Sequence, residues 1–206
     1  MFPFLEQENS DPSVTLGLIQ RAREGDDDAY NELFRRMETR LTFYIQFRLG
    51  SKLRDQLDEY DILQEAFLQA HRSFAGFDYK GSGTFCRWLY QIIDHRIRDA
   101  AKHAGRKKRL PPKEMARGSN IFDIVQGSIT GPQSACIRSE VHRQLLEAMD
   151  HLPEEESEAI LLHYFQEQPV TDLVAVMGRS EATVRRILGR ARFNLGMALR
   201  DKDEEK

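Results

Sequence analysis

Apolar residues recur every three or four positions along most of this chain, which is the period of an amphipathic α-helix. The spacing predicts a first helix over residues 13–24, a second from 26 to about 49, and a third over 59–73. A fourth begins at Thr84 and runs into a basic stretch that ends at Arg109. No segment alternates convincingly between apolar and polar residues, as a half-buried strand would. The pattern therefore predicts an all-α protein.

Each of these helices is predicted to bury one apolar face. The buried residues of the second helix are expected to be Tyr30, Leu33, Phe34, Met37, Leu41, Tyr44 and Ile45. Those of the third are Ile62, Leu63, Ala66, Phe67 and Ala70, and those of the fourth are Phe85, Trp88, Leu89, Ile92, Ile93, Ile97 and Ala100. Acids at positions 26, 27 and 28 precede the second helix, where the positive end of the helix dipole favours negative charge.

Residues 110–137 interrupt the helical period. Three prolines and three glycines punctuate this stretch, and such punctuation predicts a linker. Helices resume over 138–151 and from Pro153 to about 165, and a final pair ends near Arg200. The chain is thus expected to form two small helical domains, residues 13–109 and 138–200, joined by the linker 110–137. The apolar segment 121–125 leaves two interpretations open: a short docking element, or a segment packed on a domain surface.

Charge is distributed unevenly, although the net charge of the 206 residues is only −3. Residues 96–117 contain nine Lys or Arg and two acids. Residues 179–200 contain six Arg and one Glu. Two basic segments on an acidic chain predict contacts with a polyanion at two places and with basic protein surfaces elsewhere. The chain also lacks a membrane-length apolar run and the pattern of a signal peptide. We therefore expect a cytoplasmic protein with no membrane partner.

The pattern of reactive residues disfavours an enzyme. The sequence contains no Walker loop, no G-x-S-x-G and no H-E-x-x-H, and His163 is expected to lie on an amphipathic helix without a ligand partner. Cys86 and Cys136 form no C-x-x-C pair, so both are expected to be reduced thiols rather than a disulfide or a zinc site. We predict no catalytic residue, no metal and no cofactor.

The C-terminal segment "VTDLVAVMGRSEATVRRILGRARFNLGMALR" has the pattern of a helix-turn-helix. Its apolar residues recur at the spacing that packs two crossed helices, with Gly178 predicted at the turn and Ser180 predicted as the N-cap of the second helix. The solvent-facing side of the second helix and the positions next to it carry Arg179, Thr183, Arg185, Arg186 and Arg190. Guanidinium groups grip phosphates or fork onto guanine edges in the major groove. The alternative is an ordinary surface helix with solvated arginines.

The fourth helix carries a polar face opposite its apolar stripe, and an aromatic loop precedes it. The polar face with the basic end consists of Arg87, Gln91, Asp94, His95, Arg98, Asp99, Lys102, Arg106, Lys107, Lys108 and Arg109. In the loop, Phe77, Tyr79 and Lys80 offer stacking surface and charge, which suits unstacked single-stranded bases better than a closed duplex. His95 and Asp99 lie one turn apart, a spacing at which the two side chains can pair with each other.

The stretches "YDILQEAFLQAHRSF", "FCRWLYQII", "LPEEESEAILLHYF" and "VMGRSEATVRRILGRAR" together resemble the two conserved regions of bacterial sigma-70-family factors, of the compact extracytoplasmic-function type. The resemblance covers the chain from about residue 13 to residue 200. It implies two helical domains on a flexible linker, a partner in core RNA polymerase, and recognition of promoter DNA as duplex and as single strand. It leaves open an anti-sigma factor as a further partner, wedged between the domains.

The resemblance also implies roles for particular residues. Asp61, Gln64, Glu65 and Leu68 correspond to the segment that docks on the clamp helices of the polymerase β′ subunit, and the second domain would meet the β flap. The loop from Phe74 to Thr84 and the face of the next helix correspond to the part that melts the −10 element and holds a flipped base. His95 and Asp99 stand where many relatives carry Asn to read that base, so His95 either reads a base or pairs with Asp99. Arg186 and Arg190 are implied as readers of −35 base edges, with Arg179, Thr183 and Arg185 on phosphates.

Two functions follow from these patterns. The first is a promoter-specificity subunit that acts only with core polymerase. The second is a stand-alone helix-turn-helix regulator that binds duplex DNA without polymerase. The stretches "DILQEAFL" and "FCRWL" discriminate between them, because a simple regulator has no use for either.

Overall fold

The structure is a computed structural model that describes residues 12–81, 83–107 and 132–204. Four helices form an N-terminal group: α1 Pro12–Arg23, α2 Asp27–Arg54, α3 Glu59–Ser73 and α4 Thr84–Lys107. A 3₁₀ turn, Phe74–Gly76, follows α3. The C-terminal group contains α5 Pro132–Asp150, α6 Glu154–Ile160, a π-helical turn Leu161–Phe165, α7 Val170–Met177 and α8 Glu181–Glu204. The described residues contain no strand, which confirms the all-α prediction.

Side-chain caps explain where two of the N-terminal helices begin. The Asp26 carboxylate accepts a hydrogen bond from the Ala29 backbone N–H at 2.9 Å, and Asp58 does the same for Tyr60 at 2.8 Å. Both caps satisfy donors that the first turn of a helix leaves unpaired. Helix α3 occupies the predicted residues, and its five predicted core residues are all buried. Helix α2 runs five residues further than predicted, past a kink at Gly50 with φ of 61°.

The predicted linker is shorter than expected at its C-terminal end. Helix α5 begins at Pro132, so residues 132–137 are helical and not part of a linker. Proline is well suited to a first helical position because its missing N–H would be unpaired there in any case. The rest of the predicted linker, residues 110–131, lies outside the described residues, and so does the apolar segment 121–125 within it.

The two groups of helices share one hydrophobic core. Phe43 on α2 is fully buried, and its ring stacks on that of Phe165 with centroids 4.9 Å apart and planes 12° apart. Leu145 and Met149 on α5 belong to the same cluster as the core of the N-terminal group. A second, smaller cluster inside the C-terminal group joins α6, the π-helical turn, α7 and α8 through Ala159, Leu162, Leu173 and Val184. In this structure the two predicted domains, residues 13–109 and 138–200, therefore pack against each other through apolar side chains.

Candidate nucleic-acid interface

A tight turn sets the angle between α7 and α8. Gly178 adopts φ of 63° and ψ of 33°, and its N–H donates to the Val174 carbonyl at 3.1 Å. Glycine reaches this left-handed conformation without the steric cost that a Cβ would bring. Ser180 caps α8, since its hydroxyl accepts from the Thr183 N–H at 3.3 Å. The predicted helix-turn-helix is confirmed as a geometry, with Val184, Ile187 and Leu188 buried beneath it.

The predicted −35 residues lie on the outer side of this geometry. Arg179, Arg185, Arg186 and Arg190 are exposed and Thr183 is half-buried. Two of the arginines are engaged by nearby acids: Arg179 by Glu155 at 3.0 Å and Arg185 by Glu181 at 2.6 Å. Such exposed pairs are weak and exchange readily for phosphate. Arg186 makes no hydrogen bond or ion pair within the described part of the chain.

Arg190 has a different environment, because it binds a buried acid that sequence reasoning missed. The side chain of Glu156 is 2% exposed, and its Oε1 lies 3.0 Å from Nη2 of Arg190. The other oxygen of Glu156 accepts from Asn194 at 2.7 Å. Acids at positions 154–156 favour the start of a helix, and no local spacing indicates that the third would point at a residue 34 positions later. Glu156 therefore fixes Arg190 and Asn194 relative to α6.

The three candidate residues in the loop before α4, Phe77, Tyr79 and Lys80, lie in different environments. Phe77 is buried, and its ring lies 4.7 Å from Trp88 and 5.8 Å from Phe85. Its carbonyl accepts from Arg23. Tyr79 is half-buried and Lys80 is exposed. The structure thus places Phe77 in the core, where the ring is covered by its neighbours and not open to a base, because four aromatic rings pack together at this end of the helices.

The polar face of α4 is open to solvent over most of its length. Gln91, His95, Arg98, Asp99 and Lys102 are exposed, and Arg87 is half-buried. Asp99 lies 3.6 Å from Arg96, and within the described residues His95 has no hydrogen-bond partner. The pairing of His95 with Asp99 is therefore absent from this structure. Arg106 and Lys107 end the helix with side chains outside the described set, and Lys108 and Arg109 lie outside it entirely.

Helix α3 exposes the residues expected to meet polymerase. Asp61 is exposed, while Gln64, Glu65 and Leu68 are half-buried. Asp61 and Glu65 line a cavity of about 730 Å³ together with Arg96, Asp99 and His103 of α4. The acidic helix and the predicted −10 helix thus border one groove, so a partner seated on α3 would lie beside the DNA-facing side of α4.

Neither thiol chemistry nor a metal site is apparent in the described region. Cys86 is a buried free thiol, and burial raises its pKa to about 12, so it carries little reactive thiolate at neutral pH. No group of His, Cys, Asp or Glu among the described residues is placed to hold a metal ion. No helix in the described part of the chain has the length and apolar character needed to cross a bilayer.

Comparison with protein families gives two matches, in the order that the sequence motifs predict. The model of sigma-70 region 2 matches residues 33–107, and the model of sigma-70 region 4 matches residues 142–195. Together they cover more than half of the chain and all of the candidate residues above except Lys108 and Arg109. The chain belongs to the sigma-70 family.

Relatives of this sigma factor include extracytoplasmic-function (ECF) members. It is similar to the ECF RNA polymerase sigma factor BldN of Streptomyces coelicolor, with 26% identity over 94% of this chain and 69% of BldN. It is also similar to the RNA polymerase sigma-H factor of Pseudomonas aeruginosa, with 29% identity over 88% of this chain and 92% of that protein. The ECF sigma-E factor of Escherichia coli is 26% identical over 85% of this chain and 88% of its own length. The sigma factor is of the ECF type.

Two solved structures match the chain with TM-scores below 0.5. One is CnrH in complex with the cytosolic domain of CnrY, with a TM-score of 0.47 and 21% identity over 92% of this sigma factor and 99% of that chain. The other is the RsbN–BldN complex, with a TM-score of 0.34 and 21% identity over 87% and 97%. As an ECF sigma factor, the protein is a transcription initiation factor that works with core RNA polymerase on promoter DNA.

Proposed function

We propose that the two groups of helices divide promoter recognition between them. Residues 13–109 dock on core polymerase and open the −10 element, residues 138–200 read the −35 element, and the segment between them spans the distance. The exposed polar face of α4 and the exposed arginines of α8 support this division, since each offers cations or hydrogen-bonding groups on a helix with a buried opposite face. The chemistry of RNA synthesis belongs to polymerase, and this chain contributes none.

The docking surface is proposed to be the acidic side of α3. Asp61 and Glu65 stay accessible because the helix buries Ile62, Leu63 and Ala66 instead. These carboxylates would meet basic side chains on the β′ clamp helices, and the C-terminal group would meet the β flap. The site of action is the cytoplasm, where polymerase and chromosome are found. An anti-sigma factor is a further candidate partner, seated between the two groups of helices.

Opening of the −10 element would use the loop and the first turns of α4. In the loop Lys80 is exposed and Tyr79 is half-buried, and on α4 Arg87 and Gln91 lie one turn apart on the polar face. Stacking of a base on an aromatic side chain recovers roughly 1–3 kcal/mol, which offsets the loss of duplex stacking. The basic end of α4, Arg106, Lys107, Lys108 and Arg109, is proposed to hold phosphates near the opened strand.

Binding to core polymerase followed by run-off transcription on a promoter library tests this function. The purified chain should pull down core enzyme and direct transcripts from a subset of promoters that core alone ignores. Asp61→Arg combined with Glu65→Arg should weaken the pull-down on the order of tenfold, whereas Glu24→Arg, in the turn after α1, should leave it unchanged. A chain that binds a duplex sequence-specifically but never binds core polymerase would instead be the stand-alone regulator.

A further inference from the structure

The last turn of α1 reaches the loop before α4 through one arginine. Arg23 is the final residue of α1, and its Nη2 donates a hydrogen bond to the backbone carbonyl of Phe77, 54 positions later. Among the described residues, no other side chain hydrogen-bonds to the backbone of residues 77–80. The match to sigma-70 region 2 begins only at residue 33. The contact therefore connects this loop to a helix that lies outside both family matches.

Helix α1 is itself fixed to the body of the N-terminal group. Leu18 and Ile19 are buried in the main hydrophobic core. In the last turn of α1, Arg21 pairs with the Asp26 carboxylate at 2.6 Å, and Asp26 in turn caps the start of α2. Because both its apolar face and its C-terminal turn are held, α1 gives Arg23 a rigid base from which to hold the loop.

Phe77 is held through its ring, its N–H and its carbonyl. The ring is buried beside Trp88 and Phe85, and the N–H donates to the Phe74 carbonyl at 3.0 Å, which closes the 3₁₀ turn. The backbone of Phe77 is extended, with φ of −70° and ψ of 128°, so its carbonyl has no partner within a helix. A partly buried carbonyl without a donor costs free energy. Arg23 supplies the donor that the backbone of the loop does not.

The residues proposed to meet the strand follow Phe77 directly and are held weakly. Lys80 and Asp78 lie 3.6 Å apart, but their side chains are 76% and 73% exposed, and exposed pairs of this kind contribute little. Tyr79 is half-buried and packs against the edge of the core. A hydrogen bond from a charged donor is stronger than an exposed ion pair of this kind. The bond from Arg23 is therefore the main polar constraint on the described residues 77–80.

We propose that Arg23 is a positioning residue for strand capture: from α1 it holds the Phe77 carbonyl, and so fixes where Tyr79 and Lys80 stand before a strand arrives. The inference rests on the proposed function for the strand alone, since the position of the loop is a property of the chain without DNA. A loop held in one place loses less conformational entropy on binding than a loop that samples several positions. Arg23 thus raises the affinity for an opened strand without contacting the strand.

Amide hydrogen exchange of the full chain tests the anchoring without DNA. Arg23→Ala should lower the protection of the Phe77 amide on the order of tenfold, because the loop loses a hydrogen bond from a charged donor and opens more often. Leu41 and Ile45, both buried in α2, should keep their protection, which shows that the fold is intact. Unchanged exchange at Phe77 would overturn the anchoring.

Arg21→Ala is the matched control, since it removes the same charge from the same turn of α1. Two residues along a helix point to nearly opposite sides, about 200° apart, and Arg21 binds Asp26 rather than the loop. This variant should leave the exchange at Phe77 unchanged. Arg23→Lys keeps a cationic donor and should restore part of the protection. An equal effect of Arg21→Ala would assign the change to the charge of α1 and overturn the role of the hydrogen bond.

Fluorescence anisotropy with a short labelled single strand of mixed sequence tests the consequence for binding. The chain is assembled on core polymerase, and core alone is the blank. Arg23→Ala should weaken the affinity on the order of tenfold at each salt concentration. The slope of log affinity against log salt should stay the same, because the bound strand keeps its phosphate contacts. A slope smaller by about 0.7 would mean that Arg23 itself contacts a phosphate, which would overturn the positioning role.

The two measurements separate this inference from the proposed function. Equal strand affinity in the natural chain and in Arg23→Ala would overturn the positioning role, whatever the exchange at Phe77 shows. Absence of strand binding in every chain, together with faster exchange at Phe77 in Arg23→Ala, would count against the proposed −10 role and would leave the anchoring of the loop supported. In a chain that already carries Lys80→Ala, Arg23→Ala should cost less affinity, since one of the contacts that it positions is gone.

Discussion

Arg190 and Glu156 form an ion pair in which one partner is largely exposed and the other is buried. The side chain of Arg190 is 58% exposed and that of Glu156 is 2% exposed, with 3.0 Å between Nη2 and Oε1. Arg190 neutralises a carboxylate inside the C-terminal group, while more than half of its own side chain stays exposed on α8. Its substitution will therefore mix two effects.

Arg190→Ala should destabilise the C-terminal group by about 2–3 kcal/mol, because the buried Glu156 loses its charged partner. Arg186→Ala, one turn earlier and without a partner among the described residues, should change stability by less than about 0.5 kcal/mol. Both should relax the preference for −35 sequences. Chemical unfolding monitored by circular dichroism measures the first effect, and competition between −35 duplexes measures the second.

Glu156→Gln separates the two effects of Arg190. In that background Arg190→Ala should cost less stability than in the natural chain, by the coupling energy of the pair, on the order of 1–2 kcal/mol. The loss of −35 preference should persist if Arg190 reads bases. Uniform weakening on every −35 sequence would leave Arg190 with a structural role and would assign the reading to Arg186.

Gly189→Ala should stabilise the chain by roughly 1 kcal/mol, since it lies in the middle of α8 where alanine is the better helix former. A Cβ at this position meets nothing within 4 Å. Gly178→Ala is the matched contrast: at φ of 63° it should destabilise by about 1–2 kcal/mol. Thermal unfolding of the two variants measures both changes in stability. A destabilised Gly189→Ala chain would show that this face of α8 is covered by another part of the protein.

Phe77→Ala should cost about 3–4 kcal/mol of stability, because it removes a ring that is 5% exposed from the aromatic cluster at the start of α4. Lys80→Ala should leave stability unchanged, lower the affinity for single-stranded DNA, and reduce the slope of log affinity against log salt by about 0.7. The salt dependence of strand binding measures this slope. If Lys80→Ala keeps the full slope, Lys80 contacts no phosphate.

Acidification should weaken the packing of α5 on α2. Burial lowers the pKa of His142 below its usual value, and Nε2 of the ring lies 2.7 Å from the Gln46 side-chain oxygen. A depressed histidine pKa means that the unfolded chain binds the proton more readily, so this contribution is complete above about pH 6.5 and is lost as pH falls below it. His142→Gln should flatten the pH dependence of the unfolding free energy in that window. Parallel curves for the two chains would contradict the assignment.

The helices could be predicted from the sequence because their signals are local. The apolar faces of α2, α3 and α4 follow the helical period, and the caps Asp26, Asp58 and Ser180 precede the helices that they start. The turn at Gly178 was equally visible, since the left-handed conformation there requires a residue without a Cβ. The boundary at Pro132 was misjudged because proline suits a helix start as well as a linker.

The contacts between distant helices could not be predicted in the same way. Phe43 lies off the apolar face predicted for α2, and the helical period gives no sign that Phe165 of the C-terminal group will cover it. Arg40 looked like one more surface cation, and Glu167 like one more loop acid, until the fold brought them within 2.9 Å of each other. Phe77 was expected to stack on bases because the composition of a loop does not show which of its aromatic rings turns inward.

The aromatic cluster at the start of α4 gives this protein a built-in optical reporter. Trp88 is the sole tryptophan of the chain, and its ring contacts Phe77 in the loop proposed to handle the opened strand. Excitation at the red edge of the protein spectrum therefore selects the N-terminal group, while the C-terminal group contributes no indole. Emission from the unlabelled chain can follow the arrival of a strand or of polymerase at this loop in real time.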